Sequence, residues 1–114
     1  MIVYRICERK GDKIQTLFHA LNGSRTIPLN KWITADIKIV TDGTKETSTK
    51  YLSGFHVFEN KEDCRKFVKK FRKERDLVMV ECEVKGKSWK KEHSPSPIIL
   101  AEQMKVINVV EKLK

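Results

Sequence analysis

Residues able to do chemistry are spread thinly along this 114-residue chain. Glu81 and Glu83 stand two apart in Val80-Glu81-Cys82-Glu83-Val84, so an extended backbone points both carboxylates to one side. Such a pair can share acid and base roles when the two surroundings differ, but on a basic chain the favoured reading is that it neutralises lysines across a sheet. His19, His56 and His93 lie on separate segments with no metal-ligand spacing, and His56, between Phe55 and Val57, reads as a hydrogen-bonded core histidine. Cys7, Cys64 and Cys82 are an odd number with no Cys-x-x-Cys spacing, which argues against a disulfide framework and against zinc. Their apolar neighbours mark them as buried thiols of a reducing compartment. Gly86-Lys87-Ser88 lacks the upstream glycine of a phosphate loop and has no helix after it. No motif here identifies a reaction.

Cationic side chains are the stronger signal, and they fall in two neighbouring groups. In residues 59–75, Cys64, Phe67, Val68 and Phe71 recur at i, i+3, i+4 and i+7, the stripe of a helix facing a core. Its other face carries Lys61, Arg65, Lys66, Lys69, Lys70, Arg72, Lys73 and Arg75 against Glu62, Asp63 and Glu74. The second group is Lys85, Lys87, Trp89, Lys90 and Lys91. Cations interleaved with an indole suit a single-stranded nucleic acid, through phosphate attraction and base stacking; alternatively, the Trp89 ring folds back over a sheet as a lid. Residues 61–91 hold twelve Lys or Arg against six Asp or Glu, so this stretch supplies +6 of the net +9. A field of that sign selects nucleic acid or an acidic protein surface as partner, or serves solubility alone.

The elements that must position these groups are short. Residues 2–8 read as a strand, Arg9 to Lys13 as a turn, and 14–19 as the returning arm of a hairpin. Trp32 to Val40 alternates, with Ile33, Ala35, Ile37 and Ile39 expected inward. Asp42-Gly43 opens a polar loop through Lys50, and Tyr51 to Phe58 is a strand interrupted or started by Gly54. Asn60 caps the basic helix, with Asp63 as an approximate capping box. Leu77 to Lys85 is the clearest strand and the expected centre. Residues 86–97 read as a polar loop. Two further strands, 98–101 and 104–110, flank a break at Glu102-Gln103, with a helix over Met104 to Leu113 as the alternative. The expected fold is a single α+β domain over 1–114: a mostly antiparallel sheet of about six short strands with one main amphipathic helix on one face. No apolar run is long enough to span a bilayer, and the opening residues lack the pattern of a signal peptide, so a cytoplasmic protein is expected.

Two resemblances attach to these segments. The opening Val3-Tyr4-Arg5, the strand Tyr51-Leu52-Ser53-Gly54-Phe55-His56-Val57-Phe58 running into a helix, and Val80-Glu81-Cys82-Glu83-Val84-Lys85-Gly86-Lys87 together distantly resemble the core of the ADP-ribosyltransferase superfamily. That resemblance implies NAD as cofactor, with Arg5 touching it, Ser53 orienting the first-strand residue, and Glu81 or Glu83 polarising the nicotinamide ribose. The superfamily's Ser-Thr-Ser motif has no clear counterpart here. The same Gly-Phe-His-Val-Phe strand, acidic-start helix and Val-Glu-Cys-Glu-Val-Lys-Gly strand are also similar to small uncharacterised accessory proteins of bacteriophages and other mobile elements, some of which inhibit host defence systems. That resemblance implies no catalysis and no cofactor.

The leading expectation is a non-catalytic binding module. Arg65, Lys66, Lys69, Lys70, Arg72 and Lys73 on the helix, with Lys85, Lys87, Trp89, Lys90 and Lys91, would engage nucleic acid or a nucleic-acid-processing protein.

Overall fold

Alternation of Val78, Val80, Cys82 and Val84 with Met79, Glu81 and Glu83 builds the centre of the molecule. The structure, a computed structural model, describes residues 2–15, 26–35, 39–42, 49–52, 54–69, 76–91 and 97–113. In chain order the elements are β1 (Ile2–Lys10), β2 (Lys13–Gln15), β3 (Thr26–Ile27), β4 (Trp32–Thr34), β5 (Ile39–Asp42), β6 (Thr49–Leu52), β7 (Phe55–Val57), α1 (Lys61–Val68), β8 (Leu77–Lys90) and β9 (Ile99–Lys112). The main sheet is antiparallel in the order β3-β2-β1-β8-β9-β4, with β7 also paired to β9, while β5 and β6 form a separate pair. The expected class, an antiparallel sheet with one helix, is therefore what the chain adopts. The strand count is higher, and β8 and β9 are 14 residues each rather than short.

The polar stretch after Lys85 is not a loop: strand pairing continues to Lys90. Lys85 pairs with Gln103 and Ser88 with Ala101, so Gly86 and Lys87 together face the single residue Glu102. Gly86 has φ of 78°, the left-handed conformation that opens this class of bulge and that glycine adopts without a Cβ penalty. Two further register shifts, at Met79/Val80 and Glu81/Cys82, add to the twist of the pair. Glu102 and Gln103 do not break β9, which runs unbroken through Leu100, Met104 and Val106 and excludes a helix there.

The result is a curled half-barrel. Its two sides meet where Tyr4 and Phe58 exchange backbone hydrogen bonds of 2.8 and 2.7 Å, joining β1 to the end of β7. Gly54 permits the approach of β7 to β9, because a Cβ there would lie 3.1 Å from the Ala101 carbonyl oxygen. The inner face buries Val3, Cys7, Ile33, Phe55, Val57, Val80, Cys82, Met104 and Val106. The outer face carries a second cluster, Ile6, Phe58, Leu77, Met79 and Ile98, under Cys64, Phe67 and Val68 of α1. β8 is thus apolar on both sides where it passes beneath the helix, as expected of a central strand.

Local signals decide the remaining boundaries. The turn between β1 and β2 holds Gly11 at φ of 61° followed by Asp12, a two-residue hairpin loop with glycine first. The Asn60 Oδ1 accepts from the Asp63 N–H at 2.9 Å, so the expected N-cap is in place. The stretch expected as one strand over Trp32 to Val40 is divided between β4, which joins the main sheet, and β5, which pairs with β6. Ile33 is buried as expected, whereas Ile39 is 68% exposed instead of inward. The second half of the expected helix (70–75), the arm at 16–19, the loop at 43–48 and the segment at 92–96 lie outside the described residues.

Candidate functional site

On α1 the basic face is partly neutralised. Arg65 forks onto Glu111 of β9, its Nη2 donating at 2.8 Å and its Nε at 3.0 and 3.2 Å, and its Nη1 lies 3.6 Å from Glu62. The hydrogen bonds from Arg65 hold the Glu111 carboxyl below its ordinary range. Arg65 therefore fastens the helix to the sheet and is withdrawn from the expected anion-binding set. Lys61 lies over the Tyr4 ring at 5.6 Å. Lys66 and Lys69 are exposed, and Lys70, Arg72 and Lys73 lie outside the described residues.

The second group sits on a strand instead of a loop. Lys85, Lys87 and Lys90 are exposed, and none of them forms an ion pair with a described residue. Lys91 is half-buried and donates its backbone N–H to the Ile98 carbonyl at 2.9 Å. Ile98 belongs to the cluster beneath α1, so the end of β8 is tied to the helix's own packing. Trp89 pairs with Leu100, which has His56 on its other side, and Leu100 is fully buried. Directly paired side chains share a face. The half-buried Trp89 thus shares a face of the sheet with Leu100 and His56.

An exposed indole stands elsewhere, at Trp32. The Lys85 Nζ is 4.2 Å and the Lys105 Nζ 5.2 Å from its ring, and Trp32 is 37% exposed. β4 is held to β9 at both ends: Asn30, at φ of 59°, donates its N–H to the Val106 carbonyl at 2.7 Å, and the Ala35 N–H reaches the Glu102 carbonyl at 2.8 Å. Asparagine tolerates that left-handed conformation better than most residues. With Ile33 buried, Trp32 and Thr34 fall on the outer phase, where Trp32 stands opposite Lys105. Lys105 also lies 3.4 Å from Glu83, the cross-sheet neutralisation foreseen for that carboxylate. Sequence reading passed over Trp32 and Lys105. The signal was present in Trp32, an indole on the polar phase of an alternating strand.

Arg5, Glu81 and Glu83 do not converge. Arg5 shares the inner phase of β1 with Val3 and Cys7 and is 6% exposed, whereas Glu81 and Glu83 alternate with the inward Val80 and Cys82 and so project from the outer face. A barrel wall separates the guanidinium from both carboxylates, and Ser53 lies outside the described residues. Among the described residues, no group of three or more His, Cys, Asp or Glu could hold a metal ion, and no helix is long and apolar enough to cross a membrane.

All three thiols are buried. Loss of hydration on burial is the main reason that Cys64 and Cys82 are each pushed up to about 12 and that Cys7 is also raised. These groups are inert as nucleophiles at neutral pH. A disulfide-exchange reagent at about pH 8 should leave the native protein unmodified and label all three cysteines once denaturant is added. The linked pH effect has a definite sign. Folded thiols ionise later than the ordinary value of 9.0, so their contribution to stability is complete below about pH 9 and is lost as pH rises toward 12.

No family model matches the chain, and neither a curated relative nor a solved structure matches it.

Proposed function

We propose that the protein is a non-catalytic nucleic-acid-binding module that holds the phosphate backbone with lysines of the distal half of β8 and its surroundings. The supporting observation is that Lys85, Lys87 and Lys90 are exposed on one strand and free of ion pairs with described residues, with Lys85 lying over the exposed Trp32 ring. Lys66 and Lys69 are further exposed cations, on α1. Phosphate contacts of this kind confer affinity and carry little sequence information. A role as a mobile-element accessory protein that occupies nucleic acid, or blocks a nuclease's nucleic-acid channel, fits the same surface.

Salt dependence tests this reading. Each lysine released from a phosphate lowers the slope of log affinity against log salt by about 0.7 for a single strand and 0.9 for a duplex. Replacing Lys87 and Lys90 together by glutamate should therefore reduce the slope by roughly 1.5 and weaken binding by about tenfold or more near physiological salt. Affinity that stays flat between low and physiological salt removes the proposal. Partner capture from lysate that survives nuclease treatment would replace nucleic acid with an acidic protein.

A further inference from the structure

We infer that the ligand of this surface is single-stranded nucleic acid, with one unpaired base stacked on Trp32. The inference rests on the polyanion reading and adds to it the conformation of the ligand. Its basis is what covers the indole. Among the described residues, Lys85 at 4.2 Å and Lys105 at 5.2 Å lie over the Trp32 ring, in both cases through the ammonium end of the side chain. Backbone pairing to Lys105 fixes Trp32 on the outer face of the sheet, and with 37% of the residue exposed part of its surface is open to a ligand.

A planar base can replace an ammonium group on such a ring. Stacking of a base on an aromatic side chain contributes more than a cation–π contact at an exposed site. The displaced Lys85 needs only a rotamer change to meet the phosphate attached to that base, so its charge remains in use. Lys105 is different, being anchored by Glu83 at 3.4 Å, and stays as a fixed charge beside the stack. Lys31, exposed and next to Trp32 in the chain, is a further cation available to a neighbouring phosphate. Duplex DNA cannot use the indole, because the faces of its bases are already stacked on one another. It retains the phosphate contacts alone.

The experiment uses the full chain with Trp89 replaced by phenylalanine, which leaves Trp32 as the sole remaining indole of the two. The probes are oligothymidylate of about 15 nucleotides and a duplex of matched length at equal ionic strength, within the site sizes of single-strand binders. Oligothymidylate is expected to quench Trp32 fluorescence and to bind more tightly than the duplex. Trp32→Ala should weaken single-strand binding by about 5- to 150-fold, with an unchanged salt slope and unchanged duplex affinity, and Trp32→Phe should recover most of the loss. Duplex binding as tight as single-strand binding, or a Trp32→Ala variant that binds oligothymidylate like the parent, overturns the stacking inference. In either case a salt-dependent loss in the Lys87→Glu, Lys90→Glu variant would leave the polyanion reading standing. Failure of both probes to bind the parent overturns both readings.

Discussion

Replacing Leu77 by alanine should destabilise the fold by about 2–5 kcal/mol and lower its midpoint of thermal unfolding by roughly 10–20 °C. Leu77 is fully buried at the start of β8, in the cluster formed with Phe58, Cys64, Val68, Met79 and Ile98. Its carbonyl accepts from the Leu113 N–H at 2.8 Å, and its backbone pairs with Glu8, so the strand cannot shift to fill the space left by the missing atoms. The cost therefore includes a cavity as well as lost transfer energy. α1 has only eight residues, too few to hold its conformation by propensity alone, and depends on this cluster for its place. Ile39→Ala provides the contrast, since Ile39 is 68% exposed and its truncation should change stability by no more than about 0.5 kcal/mol. Chemical denaturation of the two variants beside the parent gives the comparison. A Leu77→Ala loss below about 1 kcal/mol would show that the helix does not rest on this cluster.

Legibility from sequence followed the range of the interactions involved. The β8 alternation, the Asn60 cap and the Gly11 turn were readable because each depends on residues close together in the chain. Continuation of β8 through Lys87, Ser88 and Trp89 was not, since the pairing that keeps this polar stretch extended comes from Ala101 and Leu100 on another strand. The Gly86 bulge also breaks the period-two pattern that would have signalled a strand. Similarly, the division of residues 32–40 between β4 and β5 is set by different partners, β9 and β6, about which the local alternation carries no information. The candidate site shows the same division. Lys85, Lys87 and Lys90 were visible as an unbalanced run of charge. The loss of Arg65 to Glu111, 46 residues away, and the meeting of Lys85 with Trp32 are consequences of the sheet. Composition indicated an excess of basic side chains; topology decided that Lys85 and Lys105 meet at Trp32.

Arg5→Met should leave stability unchanged or raise it by up to about 3 kcal/mol, whereas Arg5→Ala should lower it by about 2–4 kcal/mol. Arg5 lies on the inner face between Val3 and Cys7 and opposite Val80, with only 6% of its surface exposed. Its Nη1 donates to the His56 carbonyl at 3.0 Å, and its guanidinium is 5.7 Å from the Phe55 ring, while its buried Nε has no acceptor among the described residues. No carboxylate of a described residue forms an ion pair with it. One charged hydrogen bond contributes about 1.5–3 kcal/mol and a desolvated cation–π contact about 2 kcal/mol, against a desolvation penalty of several kcal/mol for the ion. The charge is therefore close to neutral or unfavourable for stability, and what Arg5 contributes is the packing of its stem across the barrel. Methionine retains most of that volume without the charge, at the cost of leaving the His56 carbonyl without this donor; alanine removes the volume as well. Equal and large losses from both substitutions would contradict this account. They would show that the guanidinium itself is stabilising, and hence that the native protein supplies it with an anionic partner inside the barrel.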